Sequence, residues 1–190
     1  MTEDEIIDLL KRTGVLQEGH FRLTSGRHSP TFLQCSQVMQ YPHYAEMLCR
    51  QLAAPFQGSG VQTVIGPAMG GIILAYETAR ALGVRAIFAE REEGKMHLRR
   101  GFSMTPGERF LVVEDAVTTG GSVNEVLELL AEAKARVVGV AMLVDRSGGR
   151  VGFGVPQEAL VTLDIPSYSP AECPLCRAGV PITYPKSATV

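Results

Sequence analysis

A helical membrane span needs about 20 consecutive apolar residues, and no stretch of this chain approaches that length. Charge of one sign is missing too: 18 lysines and arginines against 20 aspartates and glutamates leave a formal net charge of -2. Proteins that bind nucleic acid or lie on membranes ordinarily show a basic excess, so the bulk charge points to neither partner. The opening MTEDEIIDLLKRTG is acidic and amphipathic and has no basic start followed by an apolar run. It does not read as a signal peptide, and a cytoplasmic protein is expected.

Cysteine is scarce as well. Four cysteines in 190 residues, at Cys35, Cys49, Cys173 and Cys176, exclude the dense disulfide framework of a small secreted domain. Cys173 and Cys176 form a C-x-x-C, yet a structural zinc site needs four ligands, and no second C-x-x-C or H-x-x-x-H accompanies it. A redox pair should open a helix after a strand near the start of a fold, whereas this pair sits in a proline-rich tail. A reduced loop near the C-terminus is expected.

The sequence has no internal repeat and no low-complexity segment. A helix is predicted from about Glu3 to Thr13, with Ile6, Ile7, Leu9 and Leu10 on one face and Gly14 as its stop. FRLTSGRHSP and TFLQCSQV read as a short hairpin or edge strands, and a second helix runs from about Pro42 to Ala54. From Val61 the pattern alternates: VQTVIG strand, GGIILAYETARAL helix, VRAIFAE strand, a long polar segment, RFLVVED strand, SVNEVLELLAEA helix, VVGVAMLVD strand and later ALVTLDI strand. Short β-branched runs between helices of a dozen residues predict βαβ units, hence an α/β fold with a mostly parallel sheet flanked by helices.

In open parallel sheets, ligands bind beyond the carboxyl ends of the strands. In LVVEDAVTTGGSV, Glu114 and Asp115 stand at a strand end, and Thr118, Thr119, Gly120, Gly121 and Ser122 form the turn into a helix that starts near Val123. N–H groups at a helix N-terminus suit a phosphate, glycines let the backbone approach it, and the hydroxyls add donors. Carboxylates repel phosphate but accept hydrogen bonds from sugar hydroxyls or hold magnesium, so a sugar phosphate with a metal is what the loop fits. The loop is neither a Walker loop nor G-x-G-x-x-G.

IGPAMGGIIL gives a second strand–glycine–helix turn, in which Ala68, Met69, Gly70 and Gly71 present N–H groups to another anion. Two such turns on neighbouring strands suggest one ligand with phosphates at both ends. The stretch EREEGKMHLRRGF, residues 90–102, places Arg91, Lys95, His97, Arg99 and Arg100 in what reads as a long mobile loop. A cationic loop of that kind can exclude water and neutralise a departing diphosphate.

VVEDAVTTGGSV resembles the phosphoribosyl diphosphate signature of the type I phosphoribosyltransferases, and GPAMGG resembles their diphosphate loop, where a cis peptide is expected at Ala68-Met69. HFRLTSGRHSPTF, the Lys-x-His of Lys95 and His97, LVDRSGG and the CPLC tail are similar to orotate phosphoribosyltransferases within that family. The resemblance implies a single domain over 1–190, with a core at about 42–155 and a small hood formed from about 1–41 and 156–190. It implies a magnesium-dependent transfer from phosphoribosyl diphosphate to orotate. Glu114 and Asp115 would bind ribose and magnesium, Asp115 being one catalytic group. Ala116, Val117, Thr118, Thr119, Gly120, Gly121 and Ser122 would hold the 5-phosphate, and Ala68, Met69, Gly70 and Gly71 the diphosphate. Thr118, Arg146 and Phe32 would meet orotate, Arg146 by pairing with its carboxylate. Arg91 and the catalytic pair Lys95 and His97 would come from the mobile loop of a homodimer, closing over the neighbouring subunit's site. Thr24 and Leu33 depart from the family, many members having a lysine and a second aromatic there. A phosphoribosyltransferase for another nucleobase and a non-catalytic sensor of phosphoribosyl diphosphate are the alternatives. A purine lacks the carboxylate that Arg146 would pair with, and no DNA-binding domain accompanies the fold.

Overall fold

The computed structural model describes residues 1–23 and 25–184. Helix α1 (Glu3–Arg12) begins with a capping box: the Glu5 N–H donates to Thr2 Oγ1, and the Thr2 N–H donates back to the Glu5 carboxylate at 2.8 Å. Three acidic residues in its first turn complement the positive end of the helix dipole, and Ile6, Leu9 and Leu10 are buried beneath it. Strands β1 (Leu16–Arg22) and β2 (His28–Leu33) form the expected hairpin as a separate two-stranded antiparallel sheet. The TFLQCSQV run stops being strand at Leu33, and its end turns into the short helix α2 (Ser36–Met39). Helix α3 (Pro42–Ala53) follows, with proline in its first turn, where no N–H is needed.

The main sheet is built from β3 (Thr63–Pro67), β4 (Arg85–Glu92), β5 (Lys95–Leu98), β6 (Arg109–Val117), β7 (Arg136–Asp145) and β8 (Gln157–Thr162). Its order is β5-β4-β3-β6-β7-β8, parallel except for β5. Helix α4 (Gly71–Leu82) joins β3 to β4, helix α5 (Gly121–Glu132) joins β6 to β7, and the short α6 (Pro174–Arg177) lies near the C-terminus. Period-two alternation sorts the strands onto two cores. Val64, Leu111, Val113 and Leu143 pack with α1, α3 and α4, while Ile65, Val112, Val140 and Met142 pack with Val126 and Leu130 of α5. Each such side chain taken fully out of water contributes about 1.5–3 kcal/mol, so strands apolar on both sides are held at the centre of the sheet. No helix among the described residues is long and apolar enough to cross a membrane.

The charged stretch at 90–102 corrects the sequence reading. It is not an irregular loop: Glu93 (φ 49°) and Gly94 (φ 83°) make a two-residue turn, and β4 and β5 zip into an antiparallel hairpin pairing Glu92 with Lys95 and Glu90 with His97. A turn with two positive φ values matches the twist of the strands, and glycine takes the second position at no steric cost. Arg99 to Glu92 and Arg100 to Glu90, both at 2.9 Å, tie the far side of the hairpin.

Beyond β8 the chain returns to the N-terminal hairpin. His28 and Tyr168 exchange backbone hydrogen bonds of 2.9 and 2.8 Å, the Thr183 N–H donates to the His20 carbonyl, and Ser29 Oγ donates to the Pro166 carbonyl. The β1–β2 hairpin and the described residues after Asp164 therefore hold each other beside the main sheet.

Candidate active site

Strands β3, β6 and β7 are neighbours, and their carboxyl ends carry the residues singled out above. Strand β6 runs two residues further than the sequence suggested, so Glu114 and Asp115 lie inside it rather than at its end. Gly120 caps α5 in the left-handed conformation (φ 77°) with no side-chain cap, so neither threonine nor serine is the N-cap residue. Among the described residues, the N–H groups from Thr118 to Ser122 have no hydrogen-bond partner. A Cβ at Gly120 would lie 2.9 Å from both Val151 and Phe153, so glycine serves both the turn and the close packing behind it. The turn encloses a cavity of about 280 Å³.

The acid pair lies at the rim of this cradle. Glu114 is only 7% exposed, and its Oε1 accepts the Asp115 N–H at 3.0 Å, while Asp115 Oδ1 accepts the Ala116 N–H at 2.8 Å. Burial, reinforced by the charge of Asp115, pushes the Glu114 carboxyl up to about 8, although the Asp115 N–H pulls the other way. Two carboxylates crowded this way gain from a cation, and oxygen donors suit magnesium. The second turn meets the first here. The peptide Ala68-Met69 is cis, Met69 is 80% exposed, and a Cβ on Gly70 would collide with the Asp115 carboxylate. Gly66 and Gly71 touch backbone to backbone, a Cβ on Gly66 falling 2.6 Å from the Gly71 carbonyl oxygen.

On the other side of the cradle, the Arg146 N–H donates to the Val117 carbonyl at 2.7 Å, placing Arg146 next to the turn. Its side-chain Nε is buried with no partner, and burial lowers the pKa of the guanidinium. A buried donor without an acceptor costs about 1–3 kcal/mol, which an incoming carboxylate would remove. Asp145, which the sequence reading passed over, shapes this loop: its carboxylate accepts the N–H groups of Ser147 at 2.7 Å and Gly149 at 3.0 Å. Ser147 Oγ then accepts those of Arg150 and Val151. The signal for it is the short polar run D-R-S-G-G after a strand, in which an aspartate folds the backbone over its own carboxylate. Cys35 was also missed. It is buried, donates to the Asp115 carbonyl at 3.6 Å, and has its thiol pushed up by burial first and by Asp115 second, with Arg146 opposing.

Phe32, three residues earlier, is half-buried against Phe21 with ring centroids 5.7 Å apart. Leu33 is buried, and Thr24 lies outside the described residues. The structure thus brings together 114–122, 68–71 and Arg146. Arg91 also lines the cradle, but its guanidinium is held by Glu125 of α5 at 2.7 Å. Lys95 and His97 do not reach it: both are exposed and line a separate groove with Glu125, Glu128 and Glu132.

Residues 43–152 match a family model described as the phosphoribosyl transferase domain. The chain is 57% identical to the orotate phosphoribosyltransferase of Pelotomaculum thermopropionicum and 55% identical to that of Desulforamulus reducens, each alignment covering 100% of both proteins. The solved structure of orotate phosphoribosyltransferase from Aeropyrum pernix resembles it with a TM-score of 0.66 at 26% identity, over 83% of this chain and 93% of that one.

Proposed function

The chain belongs to the orotate phosphoribosyltransferases of the phosphoribosyl transferase family, and on that premise we propose how its residues move the 5-phosphoribosyl group from phosphoribosyl diphosphate to orotate. The products are orotidine 5-phosphate and diphosphate, in pyrimidine nucleotide synthesis. The bond from N1 of orotate to C1 of the sugar forms as the bond from C1 to diphosphate breaks, through a state with oxocarbenium character. The protein's task is to position two anions and to stabilise a departing one.

The unpartnered N–H groups of Thr118 to Ser122, with the hydroxyls of Thr118, Thr119 and Ser122, hold the 5-phosphate. Glu114 and Asp115 accept hydrogen bonds from the ribose hydroxyls and hold magnesium, directly or through water. When bound, magnesium supplies positive charge that offsets the diphosphate. Ala68, Met69, Gly70 and Gly71 present their backbone to that diphosphate, and the bare Gly70 leaves Asp115 room beside it. Arg146 pairs with the orotate carboxylate, with Phe32 and Thr118 on the same side. The buried, unpartnered Nε of Arg146 beside a cradle of free N–H groups is the observation that carries this reading.

Lys95 and His97 serve the site of a neighbouring subunit in a homodimer. The exposure of both side chains on the β4–β5 hairpin, away from their own cradle, supports that arrangement. There Lys95 stabilises the leaving diphosphate, and His97 stabilises charge or moves a proton. The protein works in the cytoplasm and takes neither nucleic acid nor membrane as partner. Incubated with phosphoribosyl diphosphate, orotate and magnesium, it should form orotidine 5-phosphate and diphosphate in equal amounts, and leaving out magnesium should stop the reaction. Absence of product under the complete conditions would overturn the proposal.

A further inference from the structure

Away from the strand ends, four side chains converge where the N-terminal hairpin meets the C-terminal tail. His20 of β1 and His28 of β2 face Cys173 and Cys176, and the four donor atoms all lie within 4.8 Å of one another. His20 Nε2 is 3.0 Å from His28 Nδ1, 3.5 Å from Cys173 Sγ and 3.7 Å from Cys176 Sγ, while Cys176 Sγ is 3.2 Å from His28 Nδ1. His20, His28 and Cys173 are buried, Cys176 is half-buried, and all cysteines are free.

We propose that His20, His28, Cys173 and Cys176 form a structural zinc site that fastens the C-terminal tail to the N-terminal hairpin. Zinc–nitrogen bonds of about 2.0–2.1 Å and zinc–sulfur bonds of about 2.3 Å set the corners of a tetrahedron about 3.3 Å apart for two nitrogens and about 3.5 Å apart for nitrogen and sulfur. The three nitrogen–sulfur separations, from 3.2 to 3.7 Å, bracket the second value, and the nitrogen–nitrogen separation of 3.0 Å falls slightly short of the first. The donor set of two thiols and two imidazoles is one that zinc selects over magnesium or calcium. The ring of His20 is already aimed: its Nδ1 lies 2.7 Å from the Val180 carbonyl oxygen, a bond that puts the proton on Nδ1 and leaves the Nε2 lone pair facing the other three donors. Cys173 immediately precedes α6, so the C-x-x-C bends its second sulfur back toward the first through a single helical turn.

The proposal goes beyond the reduced loop expected at Cys173 and Cys176, whose thiols are free. The partners that a second C-x-x-C would have supplied come from a hairpin 153 residues away from Cys173. All four corners are protein atoms, so no position is open to water or substrate, and the site holds structure rather than doing chemistry. A bond across so long a loop limits the unfolded chain strongly. It also fixes β2, which carries Phe32 toward the base side and leads to Cys35.

The full chain, purified without a histidine tag and without chelator, should contain about one zinc per chain, and the double variant Cys173→Ser with Cys176→Ser should contain none. Zinc-edge X-ray absorption on the unmodified protein gives a reading that does not depend on any variant folding: two sulfur and two nitrogen neighbours are expected. Replacement of zinc by cobalt should add sulfur-to-metal charge-transfer absorption. Zinc surrounded only by oxygen and nitrogen would place it elsewhere, such as on the Glu114–Asp115 pair, and would overturn the proposal. So would a folded protein that takes up no zinc when the metal is supplied in equimolar amount.

Discussion

Replacing Arg146 by methionine separates binding from stability, because the structure assigns the two effects opposite signs. Without ligand, the guanidinium is partly buried, its Nε has no acceptor, and burial disfavours its charge. An unmet donor of this kind costs about 1–3 kcal/mol, and methionine keeps most of the length while removing it. Arg146→Met should leave the melting temperature unchanged or raise it by roughly 2–4 °C for each kcal/mol recovered. With orotate present the balance reverses. Truncating one partner of a buried charge pair costs about 2–5 kcal/mol, so kcat/KM for orotate should fall by a factor of at least about 30. The KM for phosphoribosyl diphosphate should stay near its original value, since the phosphate cradle is untouched. Initial rates with each substrate varied in turn, together with calorimetric melting of the unliganded protein, make the comparison. A melting temperature lowered by several degrees with orotate kinetics intact would make Arg146 a packing residue and refute the reasoning.

Gly120→Ala imposes a left-handed conformation on a residue with a Cβ and drives that atom to 2.9 Å from Val151 and Phe153. A loss of about 2 kcal/mol in urea unfolding and a raised KM for phosphoribosyl diphosphate are expected. Glu108 is pushed up by burial but pulled down further by the Thr63 hydroxyl, the Thr105 N–H and Arg85, so its folded carboxyl lies below the ordinary value of 4.5. Its contribution to stability is present above that value and is lost as pH falls through the lower folded one, so the stability gap between the protein and Glu108→Gln should shrink in acid unfolding titrations. Lys95→Ala should lower kcat far more than it weakens orotate binding. Mixed and refolded with Arg146→Met, it should give more activity than either variant alone, because the hybrid dimer has one site with both residues; no recovery would place Lys95 in its own subunit's site.

The main sheet was legible because its signals are local. Runs such as LVVED and VVGVAMLVD are apolar on both faces, and only a buried parallel strand satisfies them. The cradle was legible for the same reason, since Glu114 to Ser122 are contiguous and the turn they make is written in glycines and hydroxyls. The charged stretch at 90–102 misled because its charges mask a period of two: in β5 only Met96 and the half-buried Leu98 pack inward, and the Glu93-Gly94 turn signal sits among residues that also suit a loop. Cys35 gave no signal, because its approach to Asp115 depends on how the hairpin settles against the sheet. The convergence of His20 and His28 on Cys173 and Cys176 was beyond spacing rules for a related reason. Those rules describe ligands close in sequence, and here one pair arrives through the antiparallel register of β1 and β2 and the other through a tail that folds back across the molecule.

The choice of base is the central claim, since the phosphoribosyl side of the site would serve any enzyme of this family. Diphosphate release from phosphoribosyl diphosphate and magnesium, measured with orotate, adenine, guanine, xanthine and uracil in parallel, tests it most directly. Release with orotate alone is the predicted result. Release with a purine and none with orotate would contradict the assignment of Arg146 to a carboxylate, and with it the account of the site.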